Sequence, residues 1–177
     1  MTPAKRIRIE SLRPRIAFLD VEASGLMSGS FPVEAAWLTA AGFGDVLISP
    51  AGIWDESKWD DDAEAMHGLA LSELKRKGRH PKVAAALLES SLRGKLVFCD
   101  SPEHDAAWAD MVHEAGGVAR TYRIESVGKL LRHVGLSAAR AYQLFEEARK
   151  THPSRGRARQ GVEHLSAVFE AALKETE

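Results

Sequence analysis

The chain has 177 residues, a length suited to one domain that buries about 70% of its unfolded surface on folding. With 45% hydrophobic and 28% charged residues it is neither disordered nor collagenous, and its single cysteine, Cys99, excludes an internal disulfide and a thiolate-rich zinc site. A net charge of -1 argues against bulk binding to duplex nucleic acid, yet leaves room for a local basic groove or a small anionic ligand.

The first fourteen residues carry Lys5, Arg6, Arg8 and Arg13 between Pro3 and Pro14, show no trustworthy periodicity, and read as an arm before a domain over 15–177. Residues 15–20 (RIAFLD) form a β-rich apolar run that ends in an acid and opens into the turn-prone 24–30. Two further strands are expected over 31–41 and 43–48, with Gly42 and Gly44 at the turn of an antiparallel hairpin. After a polar loop, helical spacing appears over 63–69, 71–77 and 81–92, the last with Pro81 at its first turn. A fourth strand over 95–99 (KLVFC) runs into acids and Pro102. Then come a helix over 104–115, a fifth strand over 118–122, helices over 126–134 and 137–150, and a last helix over 159–174. Strands first and then alternation with helices predict a mixed sheet with helices on its faces. No apolar run approaches the roughly 18 residues of a membrane span, and the N-terminus lacks a signal-peptide core, so a cytoplasmic protein is expected.

Chemistry concentrates at two places. Asp20 and Glu22, two residues apart on a strand, point to one face, where a hard cation such as Mg²⁺ or Mn²⁺ can be gathered; the alternative is a solvated strand end. Asp100, Glu103 and Asp105, with His104, follow the fourth strand and reach the same edge if that strand lies beside the first; the alternative is N-terminal helix capping.

FLDVEASGL at 18–26, HGLALSEL at 67–74, VFCDSPEHDAAWADMV at 97–112 and the final helix beginning RARQGVEHLSAVFEAAL resemble the DEDD superfamily of 3′-to-5′ exonucleases. The resemblance spans 15–174. It implies a ribonuclease H-like α/β fold, a mixed five-stranded sheet flanked by helices, and two divalent ions held by acids including Asp20, Glu22 and Asp105. It also implies that Gly25 and Leu26 lie against the terminal nucleotide, with His67 near the scissile end. The substrate class implied is the 3′ end of a short single-stranded RNA or DNA, or a nucleotide; relatives include homodimers.

The third motif of the superfamily's histidine branch, H-R-A-x-x-D, falls on Gly156-Arg157-Ala158-Arg159-Gln160-Gly161, so both functional positions are glycine. A weakened two-ion site or a single-ion site is therefore expected. His152, on the connector, and His164, one turn beyond Gly161, are the candidate substitutes. Trp54 and Trp59, in a polar loop, are candidate base-stacking platforms, whereas Trp37 and Trp108 read as core. Lys150, Arg155, Arg157 and Arg159 are either phosphate contacts or a solvated charge run. Glu34 either faces the site or pairs with a cation. Three functions remain in play: a metal-dependent exonuclease, a degenerate domain that keeps the cleft to bind nucleotide, nucleic acid or a protein, and an unrelated α/β binding module.

Overall fold

The computed structural model describes residues 11–50, 52–154 and 156–175. Most of the arm expected from the sequence, residues 1–10, lies outside them; Arg13–Arg15 forms a 3₁₀ turn that leads into the sheet.

Three strands come first: β1 (Ile16–Ala23), β2 (Pro32–Thr39) and β3 (Gly42–Leu47), paired antiparallel in sequence. Helices α1 (Asp61–His67), α2 (Leu71–Lys77) and α3 (Pro81–Leu92) follow, then β4 (Leu96–Cys99), parallel to β1. Helix α4 (Pro102–Gly116) leads to β5 (Ile124–Ser126), parallel to β4, and the chain closes with α5 (Val127–Val134), α6 (Ala138–Thr151) and α7 (Ala158–Glu175). The spatial order is β3-β2-β1-β4-β5, which makes β1 the central strand.

Strand alternation sorts β1 between two cores. Ala17, Leu19 and Val21 point to the face covered by α3 and α4, among Ala84, Leu88, Val97 and Val112. Ile16 and Phe18 point to the face covered by α5, α6 and α7, where Phe18 meets the ring of Phe169 at 5.8 Å. By the same alternation Asp20 and Glu22 continue the second row, so the acids emerge at the carboxyl end of β1 on the side of α7. The β1–β2 register shifts between Glu22 and Ala23, a bulge that bends the strand where the acids stand.

Two sequence expectations need correction. The fifth strand is Ile124–Ser126 rather than 118–122. Tyr122 is instead a core side chain whose hydroxyl bonds His113 Nε2 at 3.1 Å, so the apolar and aromatic character of 118–122 reflects packing under α4. The hairpin turn is at Ala40 and Ala41, and Gly42 and Gly44 both lie inside β3. Gly44 is small because of Trp37: a Cβ there meets the indole at 2.5 Å.

Candidate functional site

A crevice of about 400 Å³ opens at the carboxyl ends of β1 and β4, the position where open α/β sheets place ligands. Asp20 and Glu22 line it from β1, and Gly25 and Leu26 from the loop that follows. Met66 and His67 come from α1, Asp100 and Ser101 from the end of β4, and His104, Asp105 and Trp108 from α4. Acids 80 residues apart in sequence thus share one crevice because β1 and β4 are parallel neighbours. An apolar lip accompanies them: Leu26 and Met66 are 77% and 67% exposed. Met66 escaped the sequence reading, since one methionine beside a histidine carries no periodic signal.

The acids are crowded, Asp105 buried and Asp20 and Glu22 half-buried. Burial, reinforced by Asp105, Glu22 and Asp100, holds the Asp20 carboxyl well above the usual carboxylate range. Burial and the charge of Glu34 push Glu22 up to about 7, with Arg157 pulling the other way. Burial also lifts Asp105 to about 6, although hydrogen bonds restrain it. One of its oxygens accepts the Val21 N–H at 3.0 Å, and the carboxyl also takes a hydrogen bond from Ser101 N–H and lies beside the Cys99 thiol. Asp105 therefore ties β1 to the start of α4 as well as lining the crevice.

Helix α7 covers the other side of Asp20. A Cβ at Gly161 would stand 2.3 Å from Asp20 Oδ2 and 2.5 Å from its Cγ, so the helix backbone rests directly on the carboxyl. Position 161 faces Asp20, and it carries no side chain. Gly156 has φ +73°, and a Cβ there would meet the Met66 carbonyl oxygen at 2.3 Å. The connector is packed against the end of α1 and has no room for a histidine at 156.

The expected substitutes lie elsewhere. His164 is buried, its Nδ1 bonds the His152 carbonyl at 2.8 Å, and its ring lies 5.6 Å from that of Phe145; it belongs to the α6–α7 packing. His152 is exposed at the end of α6, with its Nδ1 on Thr151 Oγ1 at 3.0 Å. Neither lines the crevice. The imidazoles that do are His104 and His67. His67 is 3% exposed; its Nδ1 accepts the Leu69 N–H at 3.0 Å, while its Nε2 has no hydrogen-bond partner. Burial lowers its pKa, so the ring is held neutral with a buried Nε2–H that has no acceptor.

Glu34 pairs with a cation. Buried at 1% exposure and opposite Glu22 in the register, it accepts Arg157 Nε at 2.9 Å, Arg157 Nη2 at 2.6 Å and the Ala158 N–H at 3.0 Å. This bidentate pair fastens the start of α7 to β2. Arg159 bonds Glu163 at 2.9 Å and stacks on Phe43, so these two connector cations are engaged within the protein; Arg155 lies outside the described residues. Trp54 stacks on Phe31 at 5.7 Å, and Trp59 packs on Phe31 and His67 while its Nε1–H bonds Glu64 at 2.7 Å. Both indoles support the loop and are not free platforms.

The two-ion donor set of the resemblance does not fit these residues. No group of three His, Cys, Asp or Glu side chains among the described residues is arranged to hold a metal ion, Gly161 contributes no carboxylate, and Asp105 is engaged by backbone donors. One hydrated ion fits better: Mg²⁺ characteristically takes one or two carboxylates and completes its shell with water and phosphate, and Asp20 and Glu22 supply the two.

No family model matches the sequence, and no curated protein matches it. Solved structures do match. Exonuclease I superimposes with a TM-score of 0.68 at 14% identity over 92% of this chain and 41% of that one. E. coli exonuclease I in complex with a dA16 oligonucleotide gives a TM-score of 0.69 at 14% identity, covering 91% and 40%. The zinc-bound form of its single-stranded DNA complex gives 0.67 at 14% identity, also covering 91% and 40%. The chain spans about two-fifths of the length of exonuclease I, and at this identity the likeness shows a shared fold: a ribonuclease H-like α/β fold with a mixed five-stranded sheet flanked by seven helices among the described residues. No helix among the described residues is long and apolar enough to cross a membrane.

Proposed function

We propose that the crevice takes up the 3′ end of a short single-stranded RNA or DNA, as a DEDD-type 3′-to-5′ exonuclease domain does, with hydrolysis weakened by the loss of the third motif. The observation that carries this reading is the shared crevice of Asp20, Glu22 and Asp105, at the strand ends where the superfamily's first two motifs belong. Leu26 and Met66 offer apolar surface to a terminal base, with the half-buried ring of Trp108 on the facing wall. Asp20 and Glu22 would hold one divalent ion, Mg²⁺ or Mn²⁺. Such an ion would offset charge on the scissile phosphate and activate a water. The chain's own contribution is to exclude water beneath α7, to keep Asp20 fixed by contact with Gly161, and to orient the crevice wall through Asp105.

A second reading is favoured by the contact between Gly161 and Asp20: a degenerate domain that binds the same end without cleaving it. One experiment separates the two. Release of mononucleotides from a 3′-labelled single-stranded RNA and its DNA counterpart is measured in Mn²⁺ and then Mg²⁺, beside an identically purified Asp20→Ala protein. Metal-dependent release that the variant lacks is the expected result for an exonuclease. Binding of the unlabelled strand without release above the variant supports the degenerate domain, and neither release nor binding sinks both readings.

A further inference from the structure

A dense run of positive charge lies beside the crevice rather than in it. Residues 75–82 (KRKGRHPK) hold five Lys or Arg side chains and no acid, and all five are exposed. Lys75 pairs with Glu56 and Lys77 with Glu73, whereas Arg76, Arg79 and Lys82 have no carboxylate partner among the described residues.

The run is held firmly. Arg79 N–H donates to the Leu47 carbonyl at 2.7 Å and the Arg79 carbonyl accepts the Ser49 N–H at 2.9 Å, so the backbone is clamped parallel to the end of β3. Gly78 permits this closeness, because a Cβ there would meet Leu74 O at 2.4 Å and Ser49 N at 2.7 Å. Cations in the last turn of α2 suit its dipole, which accounts for Lys75, Arg76 and Lys77. Lys82 stands in the first turn of α3, where no acid is present and the dipole opposes a cation. Local stability therefore explains neither Lys82 nor Arg79.

The patch lies at the same end of the sheet as the acids: Arg79 is bonded to Leu47, Leu47 stands opposite Glu34 in the register, and Glu34 stands opposite Glu22. Helix α1 ends at His67 in the crevice, and after three intervening residues α2 begins and carries the chain to the patch. Arg157, held by Glu34 opposite Glu22, also acts electrostatically on Glu73 of α2.

We infer that Arg76, Arg79 and Lys82 form a phosphate track for the nucleotides that precede a 3′ end held in the crevice. The inference rests on the reading of the crevice above and extends it: the ligand is a single strand several nucleotides long, gripped by its backbone without regard to sequence.

Fluorescence anisotropy with a labelled dinucleotide and a labelled strand of about ten nucleotides tests it, since single-strand sites span roughly 4–16 nucleotides. Both are titrated in metal-free buffer and in Mg²⁺ across a salt series. The wild-type chain is expected to bind the longer strand more tightly and with a steeper salt dependence. The Arg76→Ala/Arg79→Ala/Lys82→Ala protein, of unchanged melting temperature, is expected to lose at least about tenfold in affinity for the longer strand. Its salt slope should fall by about 2, at roughly 0.7 per phosphate contact. Dinucleotide binding should stay as it was. Lys129→Ala/Arg132→Ala/Lys174→Ala, which removes three exposed cations from α5 and the far end of α7, serves as the charge-matched control and is expected to change nothing.

An unchanged slope in the triple variant, or an equal loss in the control, overturns the track while leaving the crevice reading intact. A wild-type chain that does not bind the dinucleotide overturns the crevice reading and this inference with it. Adsorption to phosphatidylserine vesicles that only the triple variant loses, with oligonucleotide binding unaltered, would assign the patch to a lipid surface instead.

Discussion

Gly161 and Asp20 form the most consequential pair of residues in the crevice. Glycine inside an exposed helix ordinarily costs about 1 kcal/mol against alanine, so Gly→Ala is a stabilising change where space allows. At Gly161 space is lacking, and a methyl group forces Asp20 to turn away. Gly161→Ala is expected to lower stability by about 1–3 kcal/mol through overpacking. In an Asp20→Ala background the same substitution should be neutral or favourable, which a double-mutant cycle by chemical denaturation reads directly. Gly128→Ala on α5 provides the contrast, since its Cβ would find only Ser126 Oγ at 3.3 Å and Arg132 Nη1 at 3.7 Å. Equal effects at 161 and 128 would show that the helix does not rest on the carboxyl.

At the scale of elements, the junction between α1 and the connector to α7 decides what position 156 can hold. Gly156 lies in the left-handed region against the Met66 carbonyl, so a side chain meets both backbone strain and a collision. Gly156→His is expected to cost about 2 kcal/mol or more and to shift the end of α1, seen as a lower melting temperature and faster amide exchange around His67. Unaltered melting would place the connector farther from α1. The sequence made the acids legible because Asp-x-Glu at a strand end, and acids after a second apolar run, need only the pairing of β1 with β4 to meet. The closeness of 161 to Asp20 is a matter of packing between α7 and β1. The sequence hid the reasons for several residues that act through space. Gly44 exists for Trp37, Trp54 and Trp59 for Phe31, and His164 for Phe145 and the His152 carbonyl. Each partner is distant in sequence or lies off the periodic face, so neither spacing nor composition marks it. The displaced fifth strand has a similar cause: β5 is three half-buried residues, weaker in pattern than the segment before it, which is apolar because Tyr122 packs in the core.

For the whole molecule, the crowded acids and the buried histidines set opposing pH limits on stability. Glu22 is held at about 7, Asp105 at about 6 and Asp20 also upward, so the folded chain binds protons there more firmly than the unfolded one. Their contribution is complete below about pH 4 and is lost as pH rises through 7. His67 and His113 are held below 6.5 by burial, so theirs is complete above 6.5 and is lost as pH falls. In metal-free buffer the melting temperature should therefore peak in mildly acidic solution and decline toward pH 8. Glu22→Gln should flatten the alkaline side, where an ionised Glu22 costs the fold up to about 3 kcal/mol. Mg²⁺ should raise the melting temperature at pH 8 and not at pH 5, where protons occupy the carboxyls. A flat profile with and without the metal would mean that the acids are better hydrated than their burial suggests.

The seating of α7 on Asp20 also limits what position 161 can come to carry. Before a carboxylate can stand at position 161, the helix must lift or Asp20 must move, and either change alone leaves a chain less stable than its neighbours in sequence space. A chain packed in this way can vary freely at the rim of the crevice, but any route that adds a carboxylate at 161 passes through a valley that single substitutions do not cross.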